Sequence, residues 1–200
     1  MPNWCETAAV VTGDASQVAA FGKLLQELES LPESLLPNGF GKLWCGNIVH
    51  KLGADWHSVY CRGWVTNYDI VSAERINLFI ESAWGELSEM RTLILSYYPG
   101  IRIYYRSEEP GLLVFETNDS GGAFFKERFI LDYCEDSKGV FYWEYFTTLE
   151  AAADFVSKNC LDGAPVEATK TGIDTALAQY QEEHPDDVSY IFEEFKLNND

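Results

Sequence analysis

Apolar residues at alternate positions run through "WCETAAVVTG", Trp4 to Gly13, and predict a strand. The period then lengthens. Val18, Phe21, Leu25 and Leu28 recur at helical spacing, so a helix follows, with Asp14 and Gln17 spaced like a capping box and Pro32 as its stop. Residues 31–55 are rich in Pro and Gly and read as a long connection with little regular structure. "VYCRGWVTNYDI" (Val59 to Ile70) and "RINLFIESAW" (Arg75 to Trp84) predict a hairpin. A second helix carries Leu87, Met90, Ile94, Tyr97 and Tyr98 on one face and ends at Pro99-Gly100. "IRIYYRSE" and "LLVFETND", joined through Glu109-Pro110-Gly111, predict another hairpin.

The order β-α-β-β-α-β plus one strand is that of an α+β, ferredoxin-like split βαβ sheet with two helices on one face. The pattern changes beyond "NDSGG", Asn118 to Gly122, which marks a boundary between a domain at 1–120 and a carboxy-terminal part at 121–200. That part starts with a hairpin, "ERFILDYC" and "VFYWEYF" around "EDSKG". A helix over "LEAAADFVSKN" follows, with Thr147 and Glu150 at capping-box spacing. Another helix lies around Ile173 to Tyr180. The pattern predicts a last one, capped by Asp186, with Val188, Ile191, Phe192 and Phe195 facing in. The two parts are expected to pack together.

Side-chain parity then sorts the sheet faces. With Ile76, Leu78 and Ile80 towards the helices, Glu81 and Phe79 face away. Likewise Cys61 and Val65 face in while Tyr60, Arg62, Trp64 and Tyr68 face out; Ile101, Ile103 and Tyr105 face in while Arg102, Tyr104 and Arg106 face out. The outer face is too aromatic for bare solvent. One reading has the carboxy-terminal part cover it, with Arg62 pairing to Glu81. The other makes it a binding platform on which Arg62, Trp64, Glu81, Arg102, Tyr104 and Arg106 are the candidate residues. A pocket between that face and the carboxy-terminal part would then hold a small ligand or a substrate. "RGWVTNY" only faintly follows an RNA-recognition strand motif, lacking the Gly/Ala-Phe step.

Charge narrows the partners. The chain of 200 residues carries a net −18, with 11 acids and 6 bases in residues 1–100 against 21 and 8 in residues 101–200. Such a field repels phosphate, disfavours direct nucleic-acid binding, and suits a basic protein partner or a mimic of nucleic acid. Ordinary solubility is the simpler account of the same charge. No apolar run approaches a membrane span, the amino terminus lacks a secretory pattern, and five irregularly spaced cysteines suggest reduced thiols in the cytoplasm.

Specific chemistry is thin. Cys45, His50, His57 and Cys61 are zinc-type ligands, but their spacing is looser than structural sites show. The same residues offer a Cys-His pair without the surroundings of an activated thiolate. Glu81, Glu86, Glu108 and Glu109 could supply paired carboxylates, although solvated charge is the commoner role, and Glu86 and Glu89 suit the start of a helix. No phosphate loop or dinucleotide fingerprint is present, so no cofactor or metal is implied. A non-enzymatic interaction protein is the leading expectation.

Several stretches together carry a resemblance. "MPNWCETAAVVTGD", "ESAWGE" and "YYPGIRIYYRSEEPG" resemble an uncharacterised ferredoxin-like family of phage, plasmid-borne (YubB-like) and gut-bacterial proteins, which typically start Met-x-Asn-Trp-Cys. The matching positions are Asn3, Trp4, Cys5 and Gly13, then Ala83 and Trp84, then Pro99, Tyr105, Glu108 or Glu109, and Gly111. Thr7 stands where that family usually has Asn, and Gly85-Glu86 replaces a proline common after the Trp. The resemblance covers about the first 120 residues. It implies a fold and a mobile-element setting rather than an activity.

Overall fold

The computed structural model describes residues 2–198, and these form a mixed α+β protein with five α-helices and two sheets. The strands are β1 (Trp4–Gly13), β2 (Gly63–Ser72), β3 (Arg75–Ala83), β4 (Ile101–Glu109), β5 (Val114–Thr117), β6 (Phe129–Glu135), β7 (Val140–Phe146), β8 (Val188–Glu194) and β9 (Lys196–Leu197). The helices are α1 (Ala15–Ser30), α2 (Cys45–Lys51), α3 (Ser88–Tyr97), α4 (Leu149–Asn159) and α5 (Lys170–Glu183). One sheet has the order β2-β3-β1-β4-β5-β9 and the other β7-β6-β8. The chain divides into two compact units, the first running to Ser120 and taking in Asn198 as well, the second Gly121–Leu197.

In the first unit β1 is central, antiparallel to β3 on one side and to β4 on the other. Its inward residues Ala9 and Val11 join Ile76 and Leu78 of β3 and Ile101 and Ile103 of β4 under the helices. Helix α1 covers them with Val18, Phe21, Leu25 and Leu28, all at most 1% exposed. Asp14 caps α1 by accepting from the N–H groups of Ser16 and Gln17. The Gln17 side chain does not close the capping box; its Oε1 accepts from the Gly100 N–H instead, at 2.7 Å. The helix ends at Ser30, one residue before the pair Leu31-Pro32.

Two expectations change here. The connection at 31–55 contains helix α2, whose Ile48 and Val49 are buried beside α1 and which makes three helices on this face. Seven residues are too few to display a helical period, so the pattern hid it. Tyr68 does not face outwards. A bulge between Val65 and Asn67 shifts the register, so Tyr68 stands opposite Leu78 on the helix side and its hydroxyl donates to Glu29 of α1 at 2.6 Å.

In the second unit, β6 pairs antiparallel with both β7 and β8. Leu131 and Tyr133 of β6 and Phe192 of β8 bury against Val156 of α4 and Ile173 and Leu177 of α5. The cap of α4 is Thr148, whose side chain accepts from Ala151 N–H, rather than Thr147. The expected last helix is instead strand β8. Val188, Tyr190 and Phe192 alternate inwards opposite Glu135, Tyr133 and Leu131, a period of two that the helical reading of Val188, Ile191 and Phe192 overlooked.

Candidate functional site

On the outer face of the first-unit sheet, the cross-strand registers set Trp64 of β2 opposite Glu81 of β3, Glu81 opposite Glu6 of β1, and Glu6 opposite Glu108 of β4. Three carboxylates therefore stand in one row, beginning at a tryptophan. Glu108 is held by Arg106 at 2.8 Å. Glu6 is exposed, Glu81 is partly buried, and among the described residues neither forms an ion pair or a side-chain hydrogen bond. Like charges directly opposite in an antiparallel pair are destabilising, so the face carries an uncompensated cost.

Aromatic rings border that row. Trp64 stacks on Phe40 at 5.2 Å and meets Trp4 edge-on at 5.0 Å, while Phe79, two residues before Glu81, stays 46% exposed. Of the six candidates, Trp64 and Glu81 are thus neighbours. Arg62 lies just before β2, its backbone C=O accepting from Ala83 N–H, and forms no ion pair with Glu81 among the described residues. The expected pair fails because Arg62 precedes the strand, so sheet parity does not govern it. Arg102 and Tyr104 lie along β4 and line an open hollow of about 550 Å³ with Asn118, whose side-chain amide closes the strand edge by accepting from Tyr105 N–H and donating to Ile103 C=O, both at 2.8 Å. Arg106 serves Glu108.

Of the residues that carry the family resemblance, Asn3, Trp84, Glu109 and Gly111 lie at one end of the first-unit sheet, while Gly13 and Pro99 lie at the other. Trp84 N–H donates to Asn3 C=O at 2.9 Å, and buried Glu109 accepts from the N–H groups of Gly111 and Leu112, capping a 3-10 turn. Trp84 is 45% exposed with φ +71°, so it turns the backbone out of β3 instead of closing the core. Its neighbour Glu86 reaches buried Arg91 at 3.1 Å, the guanidinium lying over the Tyr105 ring. Glu86 thus serves an internal ion pair and not the start of α3, where only Glu89 sits in the first turn. Met1 lies outside the described residues.

The thiols are poor nucleophiles. Burial pushes Cys5 up to about 11 and Cys160 up to about 12, and raises Cys45 and Cys61 as well. All five cysteines are free. His57 faces Asp55 at 2.9 Å on the surface, and no group of three or more metal-ligating side chains occurs among the described residues. In the second unit, buried Glu135 accepts from Tyr133 and Tyr180 hydroxyls at 2.9 and 3.2 Å and pairs with Lys138 at 3.1 Å. That carboxylate is fully used in holding α5 to β6.

Sequence reasoning missed Glu6, because a lone acid on an alternating strand looks like ordinary solvent-facing charge until the register of β3 is known. No helix is long and apolar enough to cross a membrane among the described residues. No protein-family model and no curated protein matches the chain. Among solved structures, an unknown protein from Galdieria sulphuraria is similar at 13% identity over 96% of this chain and 98% of that one, with a TM-score of 0.26, a likeness that carries no argument.

Proposed function

We propose that the protein is a non-enzymatic, cytoplasmic interaction protein that receives a basic segment of a partner protein on the outer sheet face at Glu6, Glu81 and Trp64. The observation that carries this reading is the unpaired Glu6–Glu81 couple beside an aromatic wall. A lysine or arginine placed between the two carboxylates relieves their repulsion, and its aliphatic stem or guanidinium plane lies against Trp64. The net charge of −18 favours the encounter with such a partner. The free thiols suit a reducing compartment.

Within the same reading, residues 1–120 are a ferredoxin-like split βαβ domain, supported by the run β2-β3-β1-β4 in the sheet and by the helices α1 and α3 that follow β1 and β3. A mobile-element setting follows from the resemblance, and a partner that otherwise holds nucleic acid fits the acidic charge. The test uses a fluorescent Lys/Arg-rich peptide. Binding is expected to weaken at least about tenfold from 50 to 300 mM NaCl, and the double variant Glu6→Gln/Glu81→Gln to weaken it by about 1–3 kcal/mol. Salt-indifferent binding, or a double variant that binds like the parent, overturns the proposal. Displacement of a captured basic partner by duplex DNA supports the narrower form.

A further inference from the structure

An open groove of about 540 Å³ lies in the first unit beside the start of β2. Its walls are Phe40, Trp44, Trp56 and Tyr60, with His57 and Arg62 at their side. The size is that of a small-molecule pocket, for which about 300–1,000 Å³ is usual. The carboxylates of Glu6 and Glu81 do not line it, although Phe40 joins its wall to Trp64 of the partner surface.

The segment that forms it is held in place. Asn47 of α2, fully buried, accepts from Leu36 N–H at 3.1 Å and donates to Ser34 Oγ at 2.7 Å and Lys42 C=O at 2.8 Å, pinning the Pro/Gly-rich connection. Val65 N–H donates to Leu43 C=O at 3.0 Å and ties the same connection to β2. Trp44 and Trp56 meet edge-on at 5.0 Å, and Trp56 stacks on His57 at 3.6 Å. Flat aromatic walls on a fixed frame suit a flat occupant.

The polar groups decide its charge. Glu89, the acid on the wall, has its Oε2 occupied by Tyr60 N–H at 2.6 Å, and nearby Asp55 is occupied by the backbone N–H and ring nitrogen of His57. Arg62 is exposed and, among the described residues, its side chain makes no ion pair or hydrogen bond, although the chain is strongly acidic. A second donor is also unused: Trp44 is 6% exposed, and its buried Nε1–H has no acceptor among the described residues. Buried tryptophan N–H groups normally find one. The groove therefore offers the Arg62 guanidinium beside aromatic faces, while the carboxylate of Glu89, also in its lining, is engaged at Oε2 by the Tyr60 N–H.

We propose that this groove binds a small planar aromatic carboxylate. Arg62 takes the carboxylate in a charge-assisted pair, and Trp56 and Tyr60 flank the ring system. The probe is indole-3-acetate, compared by calorimetry with tryptamine, its cationic counterpart, and with cyclohexanecarboxylate, an acid without a ring face. Indole-3-acetate is expected to bind with a Kd below about 1 mM, with each comparison compound at least about tenfold weaker. Arg62→Gln, at an exposed position that leaves near-UV circular dichroism unchanged, is expected to remove about tenfold of the affinity for the acid. No binding of indole-3-acetate at about 5 mM overturns the proposal, as does equal binding of tryptamine or an unaltered affinity in Arg62→Gln.

Discussion

Asp132 shows how one side chain reports its surroundings. It stands on β6 between Trp143 of β7 and Ile191 of β8, on the sheet face away from α4 and α5, and no partner reaches its carboxylate among the described residues. Burial raises its pKa above the ordinary value. The sign follows directly: a carboxyl easier to protonate when folded gives the native state more bound protons near that pKa, so stability falls as pH rises through it. At pH 7 the charged form carries the full penalty, and below the unfolded value of about 3.9 it carries none. Asp132→Asn is therefore expected to raise the urea midpoint at pH 7, with the advantage shrinking as pH falls towards 4. A lower midpoint at pH 7 would mean that Asp132 has a cationic partner in the native state.

At the scale of elements, cross-strand register decided what composition could not. The first strand, α1, the β2–β3 hairpin and α3 were legible because each holds one period long enough to recognise, and parity correctly placed Trp64, Glu81, Arg102, Tyr104 and Arg106 on the outer face. Tyr68 escaped because a single extra residue at the bulge reverses the side chains from Asn67 to Ile70, until a second shift before Ser72 restores the parity. The groove escaped too: Phe40, Trp44 and Trp56 sit in a stretch without periodicity, and what unites them is the fold of α2 and the buried Asn47. Gly13, by contrast, is explained by close approach. Its φ is +139°, and a Cβ there would lie 2.3 Å from Gly100 C=O, where β1 leaves the sheet beside the start of β4. Gly13→Ala is expected to lower stability by about 1–3 kcal/mol, measured by urea unfolding. Gly85→Ala, where a Cβ meets nothing within 4 Å, serves as the control and is expected to change it little.

At the scale of the molecule, the net −18 acts on folding and on binding with opposite signs. Compacting a chain with that much like charge raises its self-repulsion, and salt screens exposed charges over roughly 10 Å at 0.1 M. Buried or well-fixed pairs such as Glu86–Arg91 and Glu135–Lys138 are screened far less. Raising NaCl from 10 to 300 mM is therefore expected to raise the unfolding temperature, read by differential scanning calorimetry. The Glu6→Gln change alone is expected to add about 0.2–1 kcal/mol, because it removes one like-charge opposition on the sheet. The same salt weakens capture of a basic partner, since there the screened interaction is attractive. If salt instead lowered the unfolding temperature, exposed attractive pairs would outweigh the repulsion, and the excess acid would no longer count as a stability sacrificed for association. The two responses, taken on one preparation, separate acidity that only keeps the protein dissolved from acidity arranged around Glu6 and Glu81 for a partner: both kinds predict stabilisation by salt and by neutralising those two residues, but only the second predicts that the same two changes weaken the salt-sensitive binding.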